Sequence, residues 1–462
     1  MVKKSYLVFM FIILGLFAFT TAHADQIDGL ASNSGPQPPS GLNLYVNPGD
    51  LGDALVYGYY NARGNYNYFR VVNTSESTGI AAKVRLREGR NSNEVLDFAI
   101  CLSAGDQFSF WVIGDASISN PGTLIWYDDD TPTQPDPNGN NIVTDNWLAS
   151  VPLHYSGTGA ASSVTADDTK EGYLEIIGGT AWPDTPGNRT IDTPSECAEA
   201  AGITSGSLTA DDDVPNTLMG NGYIFNLADG AGTFAYNATA LAWFRNLPIN
   251  ISLASDSPPR LDNSTDVNNN GTGIDEVNFV LTKAKEYALY DVDAWFSGTT
   301  NIINTFPTKK LTIADGNIDN NGPFNDDAVI ESDGKIGDAD ARCEIVNLAM
   351  WDDAENRPET TTGFSPGETP DLYKCDEVNV IVVGSASALP MLDSKLVQFI
   401  LSNAGFNLGW IGEDFTTVSG RTTDINETET TGLPVISYEM QGFYYGSWTH
   451  MLPLRYTTQI SD

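Results

Sequence analysis

Residues 80–88 read Ile80-Ala81-Ala82-Lys83-Val84-Arg85-Leu86-Arg87-Glu88. From Ala82 onward, apolar and charged side chains alternate. Successive side chains of a strand point to opposite faces, so this period of two predicts a half-buried β-strand, with Val84 and Leu86 inward and Lys83, Arg85 and Arg87 toward solvent. On its N-terminal side, Asn73 to Gly79 (NTSESTG) is turn chemistry, preceded by the strand pattern Tyr66 to Val72 (YNYFRVV). On its C-terminal side, Val95 to Leu102 (VLDFAICL) and Gln107 to Ile113 (QFSFWVI) repeat the strand signal across the short break Ser103-Ala104-Gly105-Asp106. Short strands with turns every 8–12 residues or so predict a mainly β fold made of β-sandwich domains.

The same reading continues outward. Gly172 to Ile177, Gly222 to Leu227 and Thr233 to Asn237 read as strands, and Val378 to Val383 (VNVIVV) reads as a strand buried on both faces. Pro434 to Tyr445 adds strand signals rich in aromatics. Long acidic loops interrupt the pattern at 128–146 and 314–342. Helical signals are few: a short turn over Ser195 to Ala201 with Ser195 as its N-cap, and a longer candidate over Val277 to Trp295 (VNFVLTKAKEYALYDVDAW). The organisation expected is a signal segment at 1–24, a flexible polar leader at 25–41, a β-sandwich domain at 42–160, and a second mainly β region at 161–462 interleaved with the first.

The signal rests on Lys3 and Lys4, the apolar run Tyr6 to Phe19 and the small-x-small site Ala22-His23-Ala24. The run is shorter than the roughly 18–20 residues that span a bilayer, so no transmembrane segment is expected after cleavage. The whole chain carries 23 Lys+Arg against 60 Asp+Glu, a formal charge of −37. Removing Lys3 and Lys4 leaves 21 against 60, or −39. Such a field repels nucleic acid and attracts cations. With 41% hydrophobic and 10% aromatic residues, the chain has enough apolar side chains for large cores and is not disordered by composition.

Four cysteines in an exported chain predict two disulfides, with three connectivities open. Loop closure alone favours Cys343 with Cys375, which leaves Cys101 with Cys197. There is no CxxC and there are only three histidines, so a zinc site is not expected. Three loops set oxygen side chains around glycine in the manner of a calcium loop: Asp266, Asn268 and Asn270; Asp315, Asn317 and Asp319; and Asp333 with Asp338. None completes an EF-hand, but calcium is the one cofactor the sequence offers. Past the signal segment, His154 and His450 have no serine or cysteine pattern around them, and neither a G-x-S-x-G nor a phosphate-binding loop occurs. The nine tryptophans, Trp111, Trp351 and Trp410 among them, are spread along the chain, and their spacing singles out no sugar-stacking platform.

Several segments also carry a resemblance: Ala54 to Tyr60 (ALVYGYY), Val71 to Leu102, Glu171 to Ile177 (EGYLEII), Asn304 to Lys309 (NTFPTK), Cys343 to Trp351, Cys375 to Ile381 (CDEVNVI) and Gly432 to Gln441 (GLPVISYEMQ). Together they resemble a family of exported proteobacterial cell-surface proteins with no established activity. The resemblance runs along nearly the whole chain after the signal segment. It departs from the family at Trp351 to Glu355, where relatives are more basic. It implies a secreted surface role and carries over no catalytic residue. The expected function is therefore a non-enzymatic structural protein of the bacterial cell exterior: a surface layer, extracellular filament or matrix subunit. It would associate with itself or with other cell-surface proteins. The alternative is an extracellular adhesin or carbohydrate/calcium-binding module with glycans as partners.

Overall fold

In the computed structural model, the described residues are 44–127, 148–154, 165–184, 196–197, 199, 214–227, 232–244, 249–253, 257–264, 273–292, 298–314, 322–324, 343–354, 371–384, 391–402, 407–417, 421–425, 428–443 and 448–461. They are mainly β. The first six-stranded sheet runs in the order Tyr45–Val46, Thr239–Ala242, Ala54–Asn61, Glu171–Pro183, Thr78–Glu88, Glu94–Leu102. The second runs Thr233–Asn237, Leu218–Asn226, Asn65–Asn73, Gln107–Ile113, Thr123–Tyr127, Leu148–Pro152. Strands from before and after residue 160 share both sheets.

Two five-stranded sheets follow. One has the order Asp371–Lys374, Glu344–Asp352, Leu408–Asp414, Lys285–Asp291, Arg455–Thr457. The other has Val397–Ser402, Val378–Gly384, Thr299–Thr305, Ile436–Phe443, Trp448–Pro453 and contains a parallel pair, Val378–Gly384 with Val397–Ser402. A three-stranded and a two-stranded sheet complete the described set.

The described strands form a five-blade propeller-like arrangement, which corrects the expectation of β-sandwich domains. Alternation tells each strand which side is apolar, but not which sheet will cover it. The main core shows the difference. Phe98 of the first sheet packs edge-on against Phe110 of the second. The same cluster continues into Ile303, Val378, Val380 and Met440 of a five-stranded sheet, so this core is shared by more than two sheets. Each large side chain buried there contributes roughly 1.5–3 kcal/mol of transfer free energy. A second core joins Ala288, Tyr290, Leu348 and Ile411 to Ile302, Ile381, Val383 and Leu401 across the two five-stranded sheets. Val378–Gly384 is buried along its whole length, as its unbroken apolar run requires.

Two further expectations are corrected. The helix expected over Val277 to Trp295 covers only Gly273–Leu281. After it the chain turns to strand, with Lys285–Asp291 alternating exposed or half-buried residues with the buried Glu286, Ala288 and Tyr290. The period of two in Glu-Tyr-Ala-Leu-Tyr outweighs the good helix formers around it, because tertiary packing rewards it on both sides. The strand Thr78–Glu88 is not half-buried either. Lys83, Arg85 and Arg87 are each about 1% exposed. Lys83 Nζ lies 2.6 Å from Asp97, Arg85 Nε donates to Glu94 at 2.7 Å, and Arg87 Nε donates to Glu175 at 2.8 Å. The carbonyls of Ser252, Ser257 and Pro259 accept from Lys83 and Arg85 and roof this face. A buried charge is tolerable only when paired and hydrogen-bonded in this way.

The disulfides are Cys101–Cys197 and Cys343–Cys375, the pairing that loop closure favours. Cys101–Cys197 sits in a small apolar cluster with Ala81, Ala99 and Ile251, next to the roofed charges. The leader at 25–41 and the acidic loop centres lie outside the described residues. No described helix is long and apolar enough to cross a membrane.

Candidate functional site

The outer face of the second six-stranded sheet differs chemically from the rest of the chain. Its six strands contain no Asp or Glu, although 60 of the chain's 462 residues are acidic. Arg70 is their one charged residue. Alternation sends Phe69 and Val71 of Asn65–Asn73 into the core and leaves Tyr66, Tyr68 and Arg70 outside. On Gln107–Ile113 the same rule buries Phe108, Phe110 and Val112 and turns out Ser109, Trp111 and Ile113. On Leu218–Asn226 it turns out Met219, Asn221, Tyr223 and Phe225.

Register then aligns these residues. Tyr68 is directly opposite Trp111 on one side and Tyr223 on the other, and Trp111 is opposite Ile125. With strands spaced by about 4.8 Å, the row from Ile125 through Trp111, Tyr68 and Tyr223 to Ala235 spans roughly 19 Å. Ring centroids are 4.6 Å apart for Tyr68–Trp111, 6.1 Å for Tyr68–Tyr223, 5.6 Å for Trp111–Phe225 and 6.3 Å for Tyr223–Phe225. The rings pack against one another at interplanar angles of 19–38° and form a continuous, half-buried surface. Tyr66 at its edge is 42% exposed.

Polar groups are built into the same face. Arg70 Nε donates to Asn221 Oδ1 at 3.0 Å, Arg70 Nη2 donates to the Tyr223 hydroxyl at 2.8 Å, and the guanidinium lies 5.3 Å from the Tyr223 ring centroid. These contacts hold the Tyr223 ring and the Asn221 amide in place. Tyr66, Tyr68 and Asn221 occupy outward positions of the same face. A rigid apolar surface edged by neutral hydrogen-bonding groups suits a ligand with flat C–H faces and equatorial hydroxyls.

A second aromatic group lies on the five-stranded sheet containing Lys285–Asp291. Trp351 and Trp410 are opposite each other in register, stacked at 5.4 Å and 16°, with Tyr287 6.0 Å from Trp410. Its strands carry Asp291, Asp352, Glu413 and Asp414, so the surroundings are acidic, unlike the first face.

The candidate calcium residues Asp266, Asn268, Asn270, Asp315, Asn317, Asp319, Asp333 and Asp338 all lie outside the described residues. His450 sits with Nε2 3.8 Å from Glu439 Oε1, and His154 is an exposed residue just after a strand. Among the described tryptophans, the fold places Trp111 on the acid-free face. Two signals in the sequence pointed there: the absence of acids from these strand segments, and the aromatic pairs two residues apart, Tyr66/Tyr68 and Tyr223/Phe225. Only the pairing of distant strands makes them one surface.

No family model matches the chain, and no curated protein or solved structure matches it.

Proposed function

We propose that this chain is an exported, non-enzymatic protein of the cell exterior that holds neutral polysaccharide on the acid-free aromatic face, as part of a surface layer or matrix. The observation carrying this reading is the aligned row Trp111, Tyr68 and Tyr223 on a sheet whose strands hold no carboxylate. Sugar rings stack on aromatic faces through their C–H surfaces, and the contact needs no charge. The overall charge of −37 opposes an anionic glycan at long range, which leaves a neutral one as the matching partner. The signal segment and the two disulfides support work outside the cytoplasm. The length of the row, roughly 19 Å across five strands, favours an extended chain lying across the strands over a small sugar held in a pocket.

The test is a pull-down and affinity electrophoresis series on insoluble and soluble neutral glucans and N-acetylglucosamine polymers. The native chain is compared with Trp111→Ala, Tyr68→Ala and, as a control outside this face, Trp351→Ala. Losing one stacked ring is expected to weaken binding about ten-fold, as loss of ~1.4 kcal/mol implies. Retention by Trp351→Ala with loss by Trp111→Ala supports the reading. No binding to any neutral polymer, or equal binding by Trp111→Ala, overturns it.

A further inference from the structure

A cleft of ≈480 Å³ opens on a different part of the fold, within the ~300–1,000 Å³ range of small-molecule sites. Residues Asn47 to Asp50, the strands around Ala235 to Ala240, the end of the Gly273–Leu281 helix, Val435 to Tyr438 and Met451 to Tyr456 line it. Its walls are largely apolar, with Leu281, Val435, Ile436, Met451 and Leu454 prominent. Lys283 and Glu286 are among the ionisable side chains set into them.

Lys283 is only 8% exposed. Its ammonium lies over the Tyr456 ring, 3.7 Å from the centroid, and makes no hydrogen bond or ion pair with any described residue. An ammonium offers three donors, and leaving them unused in a desolvated site is costly. Glu286 is held differently: Asn304 Nδ2 donates to it at 3.4 Å and the Ser437 hydroxyl donates as well. The same Asn304 amide donates to Glu413 at 2.9 Å, so two carboxylates crowd one amide, with Lys374 paired to Glu413 behind them. Burial first, and the Glu413 carboxylate second, push Glu286 up to about 8, and burial pulls Lys283 down to about 8. Both shifts favour the neutral forms, and burial is the larger cause of each. The geometry leaves Lys283 Nζ as the cation in the cleft, while the Glu286 carboxyl is engaged by Asn304.

We propose that this cleft binds a small carboxylate with an apolar body, its oxygens against Lys283 Nζ and its hydrocarbon against Met451, Leu454 and Ile436. The carboxylate supplies the acceptors that Lys283 lacks, the walls favour the hydrocarbon, and the Tyr456 face holds the ammonium from the other side. Binding is linked to pH, because an ionised Glu286 competes for the ammonium and a neutral Lys283 loses it. The other titratable groups facing the cleft are Asp50, Tyr236, Tyr438 and Tyr456. Asp50 is engaged by Asn237 at 2.7 Å, and burial pushes Tyr236 and Tyr438 above the usual tyrosine range, so both stay neutral.

The test is calorimetric titration of the full chain with sodium hexanoate at about pH 6.5 and about pH 9.5, alongside 1-hexanol. The expected result is saturable single-site binding at the lower pH and at least about ten-fold weaker binding at the higher. Lys283→Met should weaken it about ten-fold or more, as expected for a charge-assisted hydrogen bond, while Lys283→Arg and Glu286→Gln bind. Should Lys283→Met fail to fold, the pH comparison on the native chain and the Glu286→Gln titration still decide. Absence of saturable hexanoate binding, equal affinity at both pH values, or hexanol binding as tightly as hexanoate overturns the proposal. Glycan binding by Trp111→Ala is a separate readout, so failure of either reading leaves the other standing.

Discussion

Glu175 is fully buried, and its carboxylate is shared: Oε1 accepts from Arg87 Nε at 2.8 Å and Oε2 from Arg85 Nη1 at 3.4 Å. Both guanidiniums are about 1% exposed. Glu175→Ala deletes one negative charge from between two desolvated positive ones. Removing one partner of a buried pair costs about 3–5 kcal/mol, because the remaining charge keeps its desolvation penalty without its compensation. The chain contains its own control. Lys285 Nζ and Asp414 are 2.6 Å apart, as close as the buried pairs, but their side chains are 46% and 27% exposed. There water screens the pair, and Asp414→Asn should cost about 1 kcal/mol or less. Urea unfolding followed by tryptophan fluorescence reads both as shifts in midpoint at constant slope. Combining Glu175→Met with Arg87→Met should cost less than the sum of the two single changes, since neither charge is then stranded. A loss below about 1 kcal/mol for Glu175→Ala, no larger than for Asp414→Asn, would refute the claim that burial sets the magnitude.

The disulfides close chain separations of 96 and 32 residues, so Cys101→Ser/Cys197→Ser should destabilise more than Cys343→Ser/Cys375→Ser, by about 1 kcal/mol on loop entropy, within ~2–5 kcal/mol for each. Equal urea midpoints would count against the entropic account. Burial pushes Asp97 up to about 7 and both Glu286 and Glu377 up to about 8. The native state thus holds protons that the unfolded chain releases near pH 4, and this contribution is lost as pH rises through 7 to 8. Scanning calorimetry should give a higher Tm at about pH 5.5 than at about pH 8.5, and Glu377→Gln should flatten part of that slope. A Tm that climbs over the same interval would contradict it. Gly432 adopts φ +136°, and a Cβ there would sit 2.0 Å from the Lys283 carbonyl oxygen. Gly432→Ala should cost at least ~1–3 kcal/mol in the same urea assay, and a neutral outcome would show that the Lys283 backbone can yield.

What the sequence determined by itself is local. The period of two in Ile80 to Glu88, Tyr66 to Val72 and Gln107 to Ile113 makes strands whatever covers them, because adjacent side chains must face opposite ways. The unbroken run Val378 to Val383 demands cover on both faces, and the cysteine spacings point to the pairing found. Only the tertiary structure decided what each face meets. The alternation that reads as solvent-facing at Lys83, Arg85 and Arg87 is equally compatible with a buried face once Asp97, Glu94 and Glu175 arrive opposite it. A helical start at Gly273 gives way to strand at Thr282 because partners far along the chain, near Pro434 and Asp414, supply the pairing. The aromatic face needs Arg70 beside Tyr223, 153 positions away, and the cleft needs Lys283 to stand over Tyr456. A one-residue slip in any of these pairings would turn the outward rings of a strand inward and its core rings outward, and that register is set by the assembled sheets rather than by any single segment.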